Sequence, residues 1–309
     1  MIITVTMNPA IDKTVEIERL IPGGLNRIKN VRYDAGGKGI NVSKTIQELG
    51  GESIAMGFLG GNAGKTIESV LNEKGIKHDF IWVEGETRTN TKIFEENGEV
   101  TELNEPGPEI GEKQIEQLIE KLKGYAREGT LFLFSGSIPG GVDKKVYARM
   151  IRLVHENGAE ALLDADGELF RHALLEKPDI IKPNRVELEE YGGYDDKASK
   201  EELLMLARNI KKKGIKKVVV SMGKSGAMFV FENYEALSAS LDVKANSTVG
   251  AGDAMVAALA YAWNENLNDD ETVRLCMAVS AGAVTTIGTN PPKKQLAEEL
   301  IKQVIIERI

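Results

Sequence analysis

From Ser53 onward, short runs rich in β-branched and aromatic residues alternate with longer amphipathic stretches, and this alternation restricts the fold more than any other feature of the chain. Strands separated by helices pair in parallel, so the pattern predicts βα units feeding a mostly parallel sheet, an α/β fold. Strands are expected at Ile2–Thr6, Ser53–Phe58, Leu131–Phe134, Ala161–Asp164, Ile180–Lys182, Lys217–Ser221 and Ala227–Phe231. Helices are expected at Lys38–Leu49, Gly64–Lys74, Lys113–Lys123, Lys144–Glu156, Lys200–Lys213, Asp253–Asn264, Asp270–Ile287 and Lys294–Arg308.

Two stretches break the rhythm. Lys13–Asp34 and Thr87–Leu103 carry strand-like runs with no helix between them, and Asn97-Gly98 is a strong hairpin turn signal. They predict a small separate β-sheet built from two insertions, at about 13–34 and 87–103. Near the carboxyl ends of the main strands such a sheet works as a lid, the alternative being a decorative edge sheet. The 309 residues are 42% hydrophobic and 28% charged, enough for one large domain with an elaboration or for two domains. No apolar run approaches the ~18 residues of a membrane span. The strand-like MIITVTM start lacks the pattern of a secretion signal, and a cytoplasmic protein is expected. A single cysteine, Cys276, excludes an internal disulfide or a cysteine metal cluster. The net charge of −8 argues against nucleic-acid binding but not against a small anionic ligand, which needs only a few converging cations.

Thr248-Val249-Gly250-Ala251-Gly252-Asp253 opens a helical run of small residues. Three small residues leave backbone N–H groups bare at a helix start, where the macrodipole already favours an anion. A carboxylate beside that cradle would repel the ligand unless it serves as a base, so Asp253 is a candidate general base and Gly250, Ala251 and Gly252 a candidate phosphate cradle. An ordinary helix-start Asp after a glycine turn is the competing reading. Gly36-Gly37-Lys38-Gly39-Ile40-Asn41 sets a cation and an amide at the mouth of another helix, suited to a polar anionic ligand. Gly60-Gly61-Asn62-Ala63-Gly64-Lys65-Thr66 is one residue short of a Walker loop and is rejected as one.

Asn184-x-x-Glu187 follows a strand and offers hard oxygen ligands suited to Mg²⁺, although the same pair spells a helix capping box. Ser221-Met222-Gly223-Lys224-Ser225-Gly226 suits a nucleotide phosphate or ribose, or a plain tight turn. Asp12, just past the first strand, could hold sugar hydroxyls, and Arg27 and Arg88 put cations on the two insertions. His78, His155 and His172 fit no catalytic pattern and read as surface or packing residues. No GxSxG elbow, HExxH pair or strand-anchored GxGxxG is present, which disfavours hydrolase, metalloprotease and dinucleotide oxidoreductase chemistry.

TMNPAID at 6–12, GGKGINV at 36–42, TRTNTKI at 87–93, SGSIPGG at 135–141, KPNRVE at 182–187, VSMGKSGA at 220–227 and STVGAGDAMVAALA at 247–260 together resemble the ribokinase-like, pfkB-type carbohydrate kinases over essentially the whole chain. Within them the chain is most similar to the 1-phosphofructokinase branch, with tagatose-6-phosphate kinases close by and the minor-type 6-phosphofructokinases further off. The resemblance implies a single domain over 1–309, a doubly wound sheet with helices on both faces, and a β-sheet lid that joins a homodimer. It implies ATP as co-substrate with Mg²⁺ and a sugar phosphate, D-fructose 1-phosphate, as acceptor. Asp253 would be the base and Gly250, Ala251 and Gly252 the anion hole. Asp12, Gly37, Lys38, Asn41 and Ser137 match sugar-contacting positions, and Arg27 and Arg88 match positions that hold the substrate's own phosphate. Lys182, Ser221, Gly223 and Gly226 fall on the nucleotide side, with Asn184 and Glu187 positioning Mg²⁺ through water. A catalytically silent sugar-phosphate or nucleotide sensor is the rival reading, though a sensor needs no base beside an anion hole.

Overall fold

The computed structural model describes residues 1–309. Its eleven-stranded sheet is centred on Ile2–Thr6, buried along its whole length and paired in parallel with Ser53–Gly60 on one side and Leu131–Ser135 on the other. Beyond Leu131–Ser135 come Glu160–Asp164, Ile180–Ile181 and Lys217–Ser221, all parallel. Ala227–Val230, Glu235–Ser238 and Glu307–Arg308 follow, each antiparallel to its neighbour. On the other flank Ser53–Gly60 carries the short strands Lys77–His78 and Ile81–Val83. Sheet growth thus switches direction at Ile2–Thr6, and a switch point opens a crevice at the carboxyl ends of the strands.

Helices cover both faces, which is why the central strands are near-continuous apolar runs. The two-residue period sends Phe132 and Phe134 into one core, with Leu118, Met150 and Leu203, and Leu131 and Leu133 into the other, with Val42, Val256 and Val279. No helix is long and apolar enough to cross a membrane.

A separate four-stranded sheet has the order Asn30–Gly36, Ala10–Ile17, Arg88–Glu95, Val100–Asn104. Its central pair is parallel and its outer pairs antiparallel, the hairpin turning at Gly98 with φ +88 as the Asn-Gly signal predicts. Register sets Asp34, Asp12 and Asn90 in one rank, and Arg32, Thr14 and Lys92 two residues on, on the same face.

Some elements differ from expectation. The first insertion's strand begins at Ala10, not Lys13. The helix expected from Gly64 begins at Gly61, where the Glu86 carboxylate accepts the Ala63 amide at 2.5 Å. This Walker-like segment therefore closes on the chain's own anion. Two unforeseen eight-residue helices, Gly167–Leu174 and Arg185–Gly192, follow strand ends. The last helix stops at Ile301, and the residues expected to extend it pair Glu307 with Leu237 at the sheet edge.

Candidate active site

The carboxyl ends of the central strands meet the start of helix Ala251–Asn264. Gly250 caps that helix in the left-handed region at φ 86, a conformation an L side chain rarely adopts. The first helical hydrogen bond runs from Ala254 N–H to Gly250 O at 2.9 Å, so the amides of Ala251, Gly252 and Asp253 have no partner within the helix. Buried Ala254–Ala260 let this helix seat closely against Lys38–Glu48 and Asp269–Val284.

Asp253 stands in that first turn. Its Oδ2 accepts from Asn41 Nδ2 at 2.8 Å, a contact spanning 212 positions that joins the GGKGIN segment to the GAGD segment. Burial, and then the Asp164 charge, raise the Asp253 pKa to about 6, against the pull of Lys38, Asn41 and Lys182. Beside it lies a three-charge cluster: Asp164 accepts an ion pair from Lys182 at 3.1 Å and from Lys38 at 3.3 Å, with Ser135 Oγ donating at 3.0 Å. Burial alone would raise Asp164, but the two ammonium groups hold it well below the usual carboxylate range. Asp164 in turn holds Lys38 above the usual lysine range despite burial.

A cavity of about 830 Å³ opens on one side of this centre. It brings together Lys38, Lys182, Asn184, Glu187, Ser221, Gly223, Gly226, Ala251, Gly252 and Asp253, all singled out in the sequence, with an apolar wall that includes Met222, Val243 and Met277. Asn184 and Glu187 form a reciprocal capping box, Asn184 N–H to Glu187 Oε2 at 2.8 Å and Glu187 N–H to Asn184 Oδ1 at 2.9 Å. Burial raises the Glu187 carboxyl, a group whose charged form a nearby cation would favour. Gly226 has a local reason to be glycine, because a Cβ there would fall 1.9 Å from Ser238 O.

A second cavity, about 440 Å³, lies between the small sheet and the loops before Gly250 and after Val284. Asp12, Arg32, Asp34 and Lys92 line one wall and Ser247, Val249, Gly288 and Thr289 the other. Burial raises the Asp12 carboxyl, moderated by Lys92 and Lys44. Lys44 donates to Ala35 O at 2.7 Å, and burial pushes it down to about 8.

The remaining candidates stand apart from both cavities. Gly37 caps helix Lys38–Glu48 at φ 106, and a Cβ there would meet Thr6 Cγ2 at 2.8 Å. Ser137 is exposed on the loop after Leu131–Ser135, next to Gly136, whose backbone lies against the Lys38 stem. Arg88 spends its guanidinium on Asn8 O at 3.1 Å and Glu105 O at 3.3 Å. Arg27 is exposed on the loop between the first two strands of the small sheet. Asp164, Arg32 and Lys92 were not foreseen in these positions. The one available signal was a carboxylate ending the apolar run ALLD; nothing local marks the other two. His155 makes a 3.0 Å bond to buried Asp179, a structural contact.

A half-buried carboxylate with a raised pKa, a helix start free of side chains and two flanking lysines between two cavities define a phosphotransferase that acts on an alcohol group. Residues 1–296 match the pfkB family carbohydrate kinases, and the chain belongs to that family. It is 34% identical over 310 residues to the 1-phosphofructokinase of Borreliella burgdorferi, covering 100% of this chain and 99% of the relative. It is 32% identical over 307 residues to the tagatose-6-phosphate kinase of Staphylococcus epidermidis, covering 98% of each. Among solved structures, phosphofructokinase-2 from Escherichia coli in complex with substrates and products superposes with a TM-score of 0.92 at 28% identity over 98% of both chains. The family implies ATP as co-substrate and a sugar phosphate as acceptor.

Proposed function

We propose that the chain transfers the γ-phosphoryl group of Mg·ATP to the 6-hydroxyl of D-fructose 1-phosphate, giving fructose 1,6-bisphosphate. The observation that carries this reading is Asp253, tied to Asn41 and raised to about 6, at the start of a helix whose first amides are free. Full-length similarity to 1-phosphofructokinases supports the acceptor.

In this reading ATP occupies the larger cavity and the acceptor lies beneath the small sheet, which acts as a lid. Asp253 takes the proton of the attacking hydroxyl as the oxygen–phosphorus bond forms. The amides of Gly250, Ala251 and Gly252 and the ammonium of Lys38 receive the charge that spreads over the transferring group. Asp12 and Asn41 orient sugar hydroxyls with Ser137 lining the same pocket, Arg27 and Arg88 meet the acceptor's phosphate after closure, and Lys182, Ser221, Gly223 and Gly226 line the nucleotide. No cluster of three acidic, His or Cys side chains offers a protein-made metal cage. Asn184 and Glu187 instead suit a hydrated Mg²⁺ that rides on the triphosphate, because the capping box leaves Glu187 Oε1 free to accept from its waters. The ion would supply charge neutralisation between phosphates.

The outer side of the small sheet and its loop exposes Leu25 at 75%, Tyr33 at 58% and Leu103 at 56%. That apolar surface is our proposed homodimer contact, in a cytoplasmic enzyme. The deciding experiment measures ADP release with Mg·ATP and fructose 1-phosphate, tagatose 6-phosphate, fructose 6-phosphate or fructose. A kcat/KM for fructose 1-phosphate at least about tenfold above the others establishes the acceptor. A higher value for tagatose 6-phosphate replaces it.

A further inference from the structure

We propose that Arg32 is a positioning residue that couples the small sheet to the amide cradle at Gly250–Gly252. The inference rests on the phosphotransfer reading of that cradle. Arg32 lies on Asn30–Gly36, facing the smaller cavity, and its Nε donates to Asp34 Oδ2 at 2.8 Å, which fixes the guanidinium plane. Its Nη2 is buried and has no hydrogen-bond partner. Such a nitrogen is costly to leave unpaired, so an acceptor within a small displacement is a strong attractor.

The tip of Arg32 occupies space left by a missing side chain. A Cβ on Gly288 would sit 2.4 Å from Arg32 Nη2 and 3.1 Å from Asp34 Oδ2, and Gly288 itself has φ +66. The next residue, Thr289, backs the helix cap: a Cβ on Gly250 would lie 3.5 Å from Thr289 Cα. A continuous contact therefore runs from Asp34 through Arg32, Gly288 and Thr289 to Gly250. Closing the small sheet toward this loop brings Nη2 to loop carbonyls or to an oxyanion of the bound acceptor. It also presses Thr289 onto Gly250, the residue that aims the cradle's amides. Closure and cradle geometry become one event, so that water is excluded when the cradle is in place.

The test uses the whole enzyme with Mg·ATP and whichever of fructose 1-phosphate or tagatose 6-phosphate it turns over faster. Arg32→Ala and Gly288→Ala should each lower kcat by about tenfold or more. The ratio of ADP released to sugar phosphorylated should rise above that of the parent, and Arg32→Lys should restore part of both. A rise in KM alone, with kcat and the ratio unchanged, would make Arg32 a plain substrate contact and overturn the proposal. So would a fall in thermal stability with normal kinetics. Should Arg32→Ala not fold, Asp34→Asn, which frees the guanidinium while leaving its charge in place, must raise the ratio in its place. A readout that needs no turnover is amide exchange over 246–252: it should quicken in Arg32→Ala and not in Lys92→Ala, which lies in the same rank. Equal exchange in both variants rejects the coupling. Asp253→Asn in parallel separates the two ideas, since full turnover there removes the cradle's assigned chemistry whatever Arg32 does.

Discussion

The two sheets of this molecule solve opposite problems. Leu131–Ser135 in the large sheet is buried at every position, whereas no residue of Arg88–Glu95 in the small sheet is either fully buried or fully exposed. The large sheet is sandwiched between helices and can be apolar on both faces. The small one turns a charged face, with Asp12, Asp34, Arg32 and Lys92, onto a cavity and is held to the body by a limited core around Ile11, Ala35, Ile40 and Leu59. The larger core lies where helix Ala251–Asn264 is anchored, and the charged residues lining the smaller cavity sit on the sheet with the smaller core.

Several measurements can break this contrast. The largest effect belongs to the junction: Asp253→Asn should lower turnover by about a thousandfold or more, read as ADP release under saturating substrates. The same variant should melt about 2 °C higher at pH 7.5. Its folded pKa is raised, so the ionised form that prevails above about pH 6 is penalised by the fold, and an uncharged amide removes that penalty. A lower melting temperature would contradict the raised pKa. Next, Phe134→Ala in the large sheet should cost about 3–5 kcal/mol in urea unfolding. Phe94→Ala in the small sheet should cost about 1 kcal/mol, and equal costs would erase the distinction.

A subtler prediction concerns pH. With Asp253 as base, kcat/KM falls as pH drops through about 6. Asn41→Ala removes a hydrogen bond that favours the charged carboxylate, so the acid limb should move to higher pH; an unmoved limb would assign it to another group. The smallest effect expected is on assembly, where Tyr33→Glu should weaken the proposed dimer, measured by light scattering on dilution, with little change in melting.

The same contrast explains what was legible in the sequence. Strands of the large sheet announce themselves because burial on both faces demands unbroken apolar runs, and their carboxyl ends were placed to within a few residues. The small sheet was readable only as a break in rhythm plus Asn97-Gly98, since its alternation is diluted by charges that line the smaller cavity. The short helix Arg185–Gly192 hides because its apolar stripe is one buried residue, Leu188. The end of the last helix was misjudged because Glu307 is captured by Leu237, a partner some seventy residues earlier that no local propensity contains. In the site, residue types that need bare backbone were visible as glycine clusters. Asp164 was not, because its meaning comes from two lysines contributed by other segments.

That carboxylate has a further consequence. Lys38 and Lys182 share Asp164 as their one directly paired carboxylate, with Asp253 and Glu187 adding weaker, unpaired attraction on Lys38. In the proposed reading, a nucleotide polyanion arriving in the larger cavity would compete for these lysines with carboxylates that cannot diffuse away. Bulk salt screens its approach across the open mouth, but not the exchange itself, which takes place behind the mouth beside buried Asp164. Ionic strength should accordingly slow capture of the nucleotide far more than it hastens its escape.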